Sequence, residues 1–368
     1  MTEMFDNRTE KLAKLCVEYC VSVKSNEQVV IRGSTLSLPL IGELYKECLL
    51  QGANPFYQSS FDLDYIFYKY AQRRQLESVS PLTKFLVENV DVMISVLCDP
   101  NPKRLTTIDS ARIREHRAAQ KEISEIFDKR YAAGKLKWTV LPYPISSQAQ
   151  EAAMPLEEYE DFVYGSCLVD KRDPVAEWKK IYRKQEAICQ FLNETSKIRV
   201  VGEDTDLTFS TKGRRWVNCG GKINMPDGEV FTAPVENSVN GVIRFTYPGI
   251  YSGKEVEDIR LTFNNGKVVK ASASKGNELL QELLKIDGAD RIGEAAIGTN
   301  YGITKFTKEM LFDEKMGGTI HMALGNSYPE TGGQNKSAIH WDILKDMKKG
   351  GEIYADGKVF YQKGKFLV

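Results

Sequence analysis

The first half of the chain alternates short apolar runs with longer stretches in which apolar residues recur every three or four positions. The short runs predict buried strands and the longer stretches predict amphipathic helices. The predicted strands are 28–31, 55–58, 90–98 and 137–141. The predicted helices are 8–23, 39–50, 106–133, 147–165 and 174–194, together with a helical zone over 64–90 that is broken near Pro81. Strands that are separated by helices of this length pair in parallel. We therefore predict an α/β domain with a mostly parallel sheet over residues 1–195.

The pattern changes near Lys197, where short strands separated by turn dipeptides replace the alternation with helices. The clearest hairpin is 258–270, because its Asn265-Gly266 pair suits the positive φ angles of a type I′ turn. One predicted helix, from 276 to about 285, interrupts the strands. We therefore predict a β-rich α+β domain over residues 196–368.

The composition of the chain argues against binding to nucleic acid and against a membrane-spanning protein. The 368 residues include 50 basic and 50 acidic side chains, so no net charge favours nucleic acid or an anionic membrane. The chain has no apolar run of about 18 residues and no apolar signal core at its start, so we expect no membrane span. Seven cysteines without a C-x-x-C pair are typical of buried free thiols in a reducing compartment. We expect a cytoplasmic protein.

The first domain offers little chemistry of its own. It contains neither a G-x-G-x-x-G nor a G-x-x-x-x-G-K-[ST] motif, and an α/β layout alone is weak evidence for nucleotide binding. We interpret it as a scaffold that supplies a cavity wall or contacts in a dimer.

Two of the three histidines lie in the second domain, and one of them is close to a carboxylate. Residues 337–344 are typical of a strand, in which side chains two positions apart point to the same face. His340 and Asp342 would then converge, whereas a helix would place them about 200° apart. Imidazole beside carboxylate is a ligand set for zinc, cobalt or manganese.

Three further segments of the second domain contain candidate ligands. They are 224–234 with Glu229, 291–300 with Glu294, and 319–325 with His321. A carboxylate within a small, apolar run is costly to bury unless a cation pairs with it. Taken singly, His321 also fits a satisfied core histidine and Glu229 a solvated turn residue. Glu294 could pair with Arg291. Together, two histidines and three carboxylates in one domain favour a metal centre.

The neighbouring loops have simpler explanations. Asp313, Glu314 and Glu330 lie in polar segments and are expected to be solvated. Tyr328, which precedes a proline in a glycine-rich loop, fits a packing role.

The number of candidate ligands bears on the number of metal ions. Five protein ligands exceed the four of a closed structural zinc site and fall short of the roughly eight that two closed sites require. Two ions that share a carboxylate and a water, with positions open for substrate, fit this number. Hydrolases, including aminopeptidases, use such pairs.

Four segments of the second domain together resemble the thermophilic-type metallo-aminopeptidases, peptidase family M29. They are Asn224–Pro234, Ile292–Asn300, Gly318–Gly325 and Ser337–Asp342. The resemblance is dense from about Gly202 to Phe366 and looser over the first half. It implies a two-domain fold, a homodimer that encloses a cavity, and a two-metal centre that releases N-terminal residues from peptides.

The resemblance also implies roles for individual residues. The implied metal ligands are Glu229, Glu294, His321, His340 and Asp342. Tyr328 would be a catalytic phenol, and Glu294 or Glu229 would bridge two divalent ions, for which zinc, cobalt and manganese are all suitable. The leading hypothesis is a metallo-aminopeptidase that acts on short peptides. Two alternatives are a metal-dependent hydrolase of another amide, and a metal-stabilised binding protein without turnover.

Overall fold

A computed structural model describes residues 7–60 and 62–368 of the chain. The chain divides into two compact units. The first unit consists of the residues up to Val175 and, in addition, the short segment Lys222–Pro226. The second unit consists of Ala176–Gly221 and Asp227–Val368. The predicted boundary at 195 lies just after the first helix of the second unit, whereas the division between the units lies near that helix's start.

The first unit contains a four-stranded, wholly parallel sheet in the order β2-β1-β3-β4. Its strands are β1 (Gln28–Gly33), β2 (Asn54–Ser59), β3 (Val92–Leu97) and β4 (Lys137–Pro142). The two central strands are the most apolar and the most buried, because helical crossovers cover both faces of a parallel sheet. The four strands predicted from the apolar runs are all present.

Nine helices are described in the first unit. They are α1 (Asn7–Leu15), α2 (Leu38–Leu50), α3 (Asp64–Tyr70), α4 (Arg73–Leu76), α5 (Pro81–Asn89), α6 (Ser110–Ala119), α7 (Lys121–Ala132), α8 (Ser146–Glu151) and α9 (Leu156–Ser166). A π-helical turn, Cys16–Cys20, continues α1. The predicted break of the 64–90 helical zone near Pro81 is present, whereas the predicted helices 106–133 and 147–165 are wrong in their continuity, because each is interrupted. Pro81 and Pro155 lie at two of the interruptions, because proline is favoured only in the first turn of a helix.

The second unit is mostly antiparallel β-structure with three helices, α10 (Pro174–Asn193), α11 (Asn277–Leu283) and α12 (Met310–Asp313). Its strands are β5 (Lys197–Gly202), β6 (Thr205–Ser210), β7 (Val217–Cys219), β8 (Glu229–Thr232), β9 (Asn240–Arg244), β10 (Gly249–Tyr251), β11 (Lys254–Val256), β12 (Arg260–Asn264), β13 (Lys267–Ser272), β14 (Ile292–Gly298), β15 (Thr319–Gly325), β16 (His340–Asp346), β17 (Glu352–Ala355), β18 (Lys358–Gln362) and β19 (Lys365–Phe366). They form an eight-stranded sheet, β13-β12-β9-β6-β5-β17-β18-β19, a five-stranded sheet, β16-β15-β14-β8-β7, and the hairpin β10-β11. The predicted hairpin at 258–270 is present, with positive φ at Asn265 and Gly266.

The five-stranded sheet has one face in the hydrophobic core of the second unit. That face is formed by Val230, Ala295, Ile297, Ile320, Met322, Leu324, Trp341 and Ile343. Because side chains alternate along a strand, the residues between these point to the opposite face. The candidate ligands lie on that opposite face. Among the helices of the described residues, none combines the length and apolar composition that crossing a membrane requires.

Candidate metal centre

Four adjacent strands bring the candidate ligands to one face of the five-stranded sheet. His340 and Asp342 lie two residues apart on β16, His321 lies on β15, Glu294 on β14 and Glu229 on β8. Nε2 of His340 is 3.4 Å from Oδ1 of Asp342 and 3.2 Å from Oε2 of Glu294. Nε2 of His321 is 3.2 Å from Oε1 of Glu294 and 3.4 Å from Oε2 of Glu229. The structure thus places all five predicted ligands in one cluster.

The strand register leaves space above this face, because each of four cluster residues pairs with glycine or alanine on a neighbouring strand. Glu229 pairs with Gly298, His321 with Ala296, Asp342 with Ala323, and His340 with Gly325. Ala323 lies between two cluster residues, because it pairs with Asp342 on β16 and with Glu294 on β14. Directly opposed side chains are the closest neighbours on a sheet face. The small residues of β14 and β15 therefore leave room on this face for the side chains of the cluster, although Leu344 lies opposite His321 on β16.

An irregularity in β14 positions Glu294. The register between β14 and β15 shifts between Ile292 and Glu294, so Gly293 is the extra residue of a bulge. A Cβ atom at Gly293 would lie 2.3 Å from the carbonyl oxygen of Gly325 and 2.4 Å from that of Asn326. Only glycine fits this close approach of two backbones. The bulge directs the Glu294 carboxylate into the cluster.

Both histidines present the same ring nitrogen to the cluster. Nδ1 of His321 lies 2.9 Å from the carbonyl oxygen of Glu314, and Nδ1 of His340 lies 2.8 Å from that of Asn326. A carbonyl oxygen only accepts hydrogen bonds, so each Nδ1 carries a proton and donates it. The Nε2 atoms then face the carboxylates, which is how metal-binding histidines are oriented in proteins.

The charges of the cluster favour cations. Burial lowers the pKa of His321, but the hydrogen bond to Glu294 and the surrounding carboxylate charges raise it to about 10. The pKa of His340 is likewise raised to about 11, because Asp342 and Glu294 outweigh the effect of burial. Conversely, burial raises the pKa of Asp342, yet the two histidines bring it below its usual value. The cluster therefore stabilises positive charge at its centre.

Two carboxylate oxygens support a fit to metal ions. Within the part of the chain that the structure describes, Oε2 of Glu229 and Oδ1 of Asp342 are buried and form no hydrogen bond, although each lies 3.4 Å from Nε2 of a histidine. Buried, unpaired carboxylate oxygens are costly unless a cation coordinates them. Imidazole and carboxylate donors are the set that zinc, cobalt and manganese accept. The donor set and its unpaired oxygens thus fit divalent ions.

The cluster separates into two groups of three donors with one member in common. The His321 group comprises Glu229, Glu294 and His321, and the His340 group comprises Glu294, His340 and Asp342. Within each group the donor atoms lie within 4.8 Å of one another. Glu294 directs Oε1 to one histidine and Oε2 to the other. A carboxylate placed in this way can serve two ions.

Tyr328 lies beside the cluster, on the loop between β15 and β16. Its ring centroid is 4.8 Å from that of His340 and 5.7 Å from that of Phe231, yet 41% of the residue's surface is exposed. Partial burial of the phenol and then the charges of the cluster carboxylates raise its pKa above the usual value. The phenol is therefore neutral near pH 7 and can donate a hydrogen bond at the edge of the cluster.

The prediction that Asp313 and Glu314 are solvated is wrong for Asp313, while Glu314 is only partly buried. Asp313 and Lys315 are fully buried, and burial raises the pKa of Asp313 to about 8. Nζ of Lys315 contacts the carboxylate of Glu314 and lies 4.0 Å from Oε1 of Glu229. Glu314 also forms a potential three-donor group with His321 and Asp342. The residues from 313 to 315 have an ordinary polar composition, so no local signal separates them from surface loops.

Comparisons with known proteins cover the whole chain. Residues 5–366 match the family model described as thermophilic metalloprotease (M29). Aminopeptidase T of Thermus aquaticus is 31% identical over 292 residues, covering 70% of this chain and 68% of the relative. Aminopeptidase AmpS of Bacillus subtilis is 28% identical, covering 97% of each chain. The solved structure of wild-type AmpT from Thermus thermophilus has the same fold, with a TM-score of 0.84 at 23% identity over 99% of this chain and 100% of that one.

Proposed function

The chain belongs to the thermophilic metalloprotease family M29 and is a metal-dependent aminopeptidase, and we propose that it releases N-terminal amino acids from short peptides with a water activated by two metal ions. The observation that carries this proposal is the position of Glu294, which is common to both groups of donors. A single-ion centre needs no carboxylate with one oxygen directed to each of two histidines.

In this proposal the five clustered residues hold the ions. Glu229 and His321 would hold one ion, His340 and Asp342 would hold the other, and Glu294 would contribute to both. Bound divalent ions would activate water, polarise the scissile carbonyl and hold the free α-amine of the substrate. Zinc, cobalt and manganese all suit the donors, and the native metal depends on availability as well as on affinity.

Tyr328 has a separate role in the proposal. Its phenol, neutral near pH 7, would donate a hydrogen bond to the oxyanion that forms when water attacks the peptide carbonyl. The contact between its ring and that of His340 supports this role, because it places the side chain at the edge of the centre. A metal ligand would instead have to lose the phenolic proton, which the raised pKa of Tyr328 opposes.

We also propose features of the whole enzyme that the family resemblance implies. The enzyme would be a homodimer whose first domains help to enclose a cavity, so that short peptides enter and folded proteins do not. Free cysteines support a reducing compartment, because the described structure contains seven of them and most are buried. We expect the enzyme to act in the cytoplasm.

The test is hydrolysis of aminoacyl-p-nitroanilides by the purified enzyme. We expect activity that a chelator abolishes and that zinc, cobalt or manganese restores, with no cleavage of N-acetylated substrates, because these lack the free α-amine. Preferential cleavage of the N-acetylated substrates would instead indicate a different amide hydrolase. Cleavage of neither substrate at any metal concentration would favour a metal-stabilised binding protein. His340→Ala is the matched variant, and it should lose activity together with bound metal.

A further inference from the structure

The loop that carries Tyr328 has little regular structure of its own. Between β15 and β16 it contains one 3₁₀ turn, Pro329–Thr331, which ends at Gly332 with φ of 79°. The hydroxyl of Thr331 donates to the carbonyl oxygen of Tyr328 at 2.6 Å, and the Gly332 amide donates to that of Pro329 at 2.9 Å. One such turn is a weak restraint, because 3₁₀ hydrogen bonds have poor geometry. Two backbone hydrogen bonds close the base of the loop, from Ser327 to Asn335 at 3.0 Å and from Asn326 to Ile339 at 2.7 Å, and the segment after Tyr328 depends on further contacts from outside the loop.

Three contacts from other segments hold this loop just after the turn. The amide of Arg215 donates to the carbonyl oxygen of Thr331 at 2.9 Å. Nη1 of Arg214 donates to the carbonyl oxygen of Gly332. The amide of Gln334 donates to Oε1 of Glu236 at 2.7 Å. The last two contacts come from charged side chains rather than from a strand.

These two side chains also bind each other. Nη2 of Arg214 lies 2.5 Å from Oε2 of Glu236, and the Arg214 side chain is only 7% exposed. Arg291 fixes the backbone of Glu236, because its Nη1 donates to the Glu236 carbonyl oxygen at 2.6 Å. These contacts form a closed ring: Arg214 binds the loop at Gly332, Glu236 binds it at Gln334, and Arg214 and Glu236 bind each other. Ion pairs that are sheltered from water and hydrogen-bonded on both sides hold their geometry far better than exposed pairs.

We propose that Arg214 and Glu236 are positioning residues for Tyr328, an inference that rests on the proposed role of Tyr328. The pair is not among the candidate ligands and makes its contacts with the loop backbone at 332 and 334. It therefore acts on the reaction by holding the phenol beside His340. Displacement of a catalytic group by about 1 Å is enough to cost on the order of 100-fold in rate.

The test is a double-mutant cycle with Arg214→Ala and Tyr328→Phe, measured with an aminoacyl-p-nitroanilide in the metal-loaded enzyme. We expect Tyr328→Phe to lower kcat about 10²- to 10³-fold and Arg214→Ala to lower it roughly 10- to 100-fold. Metal content and KM should stay near those of the parent enzyme. In the Tyr328→Phe background, Arg214→Ala should have no further effect, because the group that it positions is already absent. Equal losses in both backgrounds would overturn the proposal, since a general structural effect does not depend on Tyr328.

Second variants keep the test sharp if Arg214→Ala folds poorly. Arg214→Lys cannot bind Gly332 and Glu236 through a planar fork, and Glu236→Ala leaves the Gln334 amide without its acceptor. Each variant should therefore reproduce the loss of kcat seen in Arg214→Ala. In each, the backbone amides of the loop should also exchange faster with solvent than in the parent enzyme. Arg244→Ala is the matched control, because Arg244 pairs with Asp258 at 2.6 Å but makes no contact with this loop in the described structure. It should leave kcat unchanged.

The remaining outcomes separate two failures. Unchanged kcat in Arg214→Ala, Arg214→Lys and Glu236→Ala would overturn the positioning role alone. Unchanged kcat in Tyr328→Phe would remove the proposed role of Tyr328 and this inference with it.

Discussion

Replacing Glu294 by alanine tests whether one carboxylate serves both groups of donors. In the structure Oε1 of Glu294 lies 3.2 Å from Nε2 of His321, and Oε2 lies 3.2 Å from Nε2 of His340. Glu294→Ala removes one donor from each group, whereas His321→Ala and His340→Ala each remove a donor from one group only. We therefore expect Glu294→Ala to weaken the binding of both ions and each histidine variant to weaken one.

The size of the effect follows from the position of Glu294 as a direct donor. Changes in residues that only support a ligand cost about 10- to 100-fold in metal affinity, so the loss of the ligand itself should exceed about 100-fold for each ion. An ion present at 100 times its Kd stabilises the folded protein by about 2.7 kcal/mol. In a chain of 368 residues that contribution corresponds to roughly 3–4 °C in Tm, because an unfolding entropy of about 2.1 cal/mol/K per residue makes each kcal/mol shift Tm by about 1.3 °C.

Calorimetric titration of chelator-treated protein with zinc measures the number of bound ions and their affinities, and elemental analysis checks the number. The parent enzyme should bind two ions per chain, and each histidine variant should bind one ion tightly. Glu294→Ala should bind neither ion tightly and should not show the metal-dependent rise in Tm. Glu330→Ala is the control, because Glu330 is exposed on the neighbouring loop and belongs to neither group. Two tightly bound ions in Glu294→Ala, or loss of both ions in His321→Ala, would refute the shared-carboxylate reasoning.

Four further predictions follow from the described contacts. Tyr328→Phe should retain both ions on elemental analysis while kcat falls about 10²- to 10³-fold; loss of an ion would make Tyr328 a ligand. Lys315→Met should lower the free energy of unfolding by about 3–5 kcal/mol in denaturant titrations, because it leaves buried carboxylates without their cation; an unchanged midpoint would contradict this. Gly293→Ala should lower it by about 1–3 kcal/mol, whereas Gly42→Ala, with open space at its Cβ, should not. Light scattering should give twice the chain mass of 41.6 kDa; a monomer would exclude the homodimer.

The strands of the first unit could be predicted from the sequence because parallel strands are covered on both faces. Buried runs such as 28–31 and 90–98 then stand out as continuous apolar segments. Helix continuity was harder to predict except at Pro81, since 106–133 keeps a helical spacing of apolar residues across its interruption. The order β2-β1-β3-β4 depends on long-range pairing, which leaves no local trace in the chain.

The second unit shows the same contrast between local and long-range information. The hairpin at Asn265-Gly266 could be predicted because two residues determine the turn. The pairing of β14 with both β8 and β15, which brings Glu229 and His321 together, joins segments that are far apart in sequence. No periodicity within any one of those strands specifies its neighbours.

Local spacing and family resemblance contributed differently to the candidate site. The i and i+2 positions of His340 and Asp342 are enough to predict that they share a face, since alternation is a property of the single strand. Glu229, Glu294, His321 and Tyr328 were assigned roles by resemblance, and their grouping depends on the register of four strands. The resemblance left either Glu294 or Glu229 as the bridging carboxylate. The membership of Glu294 in both the His321 group and the His340 group supports the proposal that Glu294 is the shared carboxylate.

The buried charged residues that sequence reasoning did not single out share a physical cause. Lys315 is buried only because carboxylates that are distant in the chain surround it, Glu229 among them. Arg214 is sheltered only because the loop after β15 folds over it and Glu236 pairs with it. A charged residue has no burial pattern of its own in a sequence, since its burial depends on partners supplied by other segments. Residues that position a site without being ligands are therefore harder to predict than the ligands themselves. A change in a positioning residue and a change in a ligand should nevertheless both alter the rate of the same reaction.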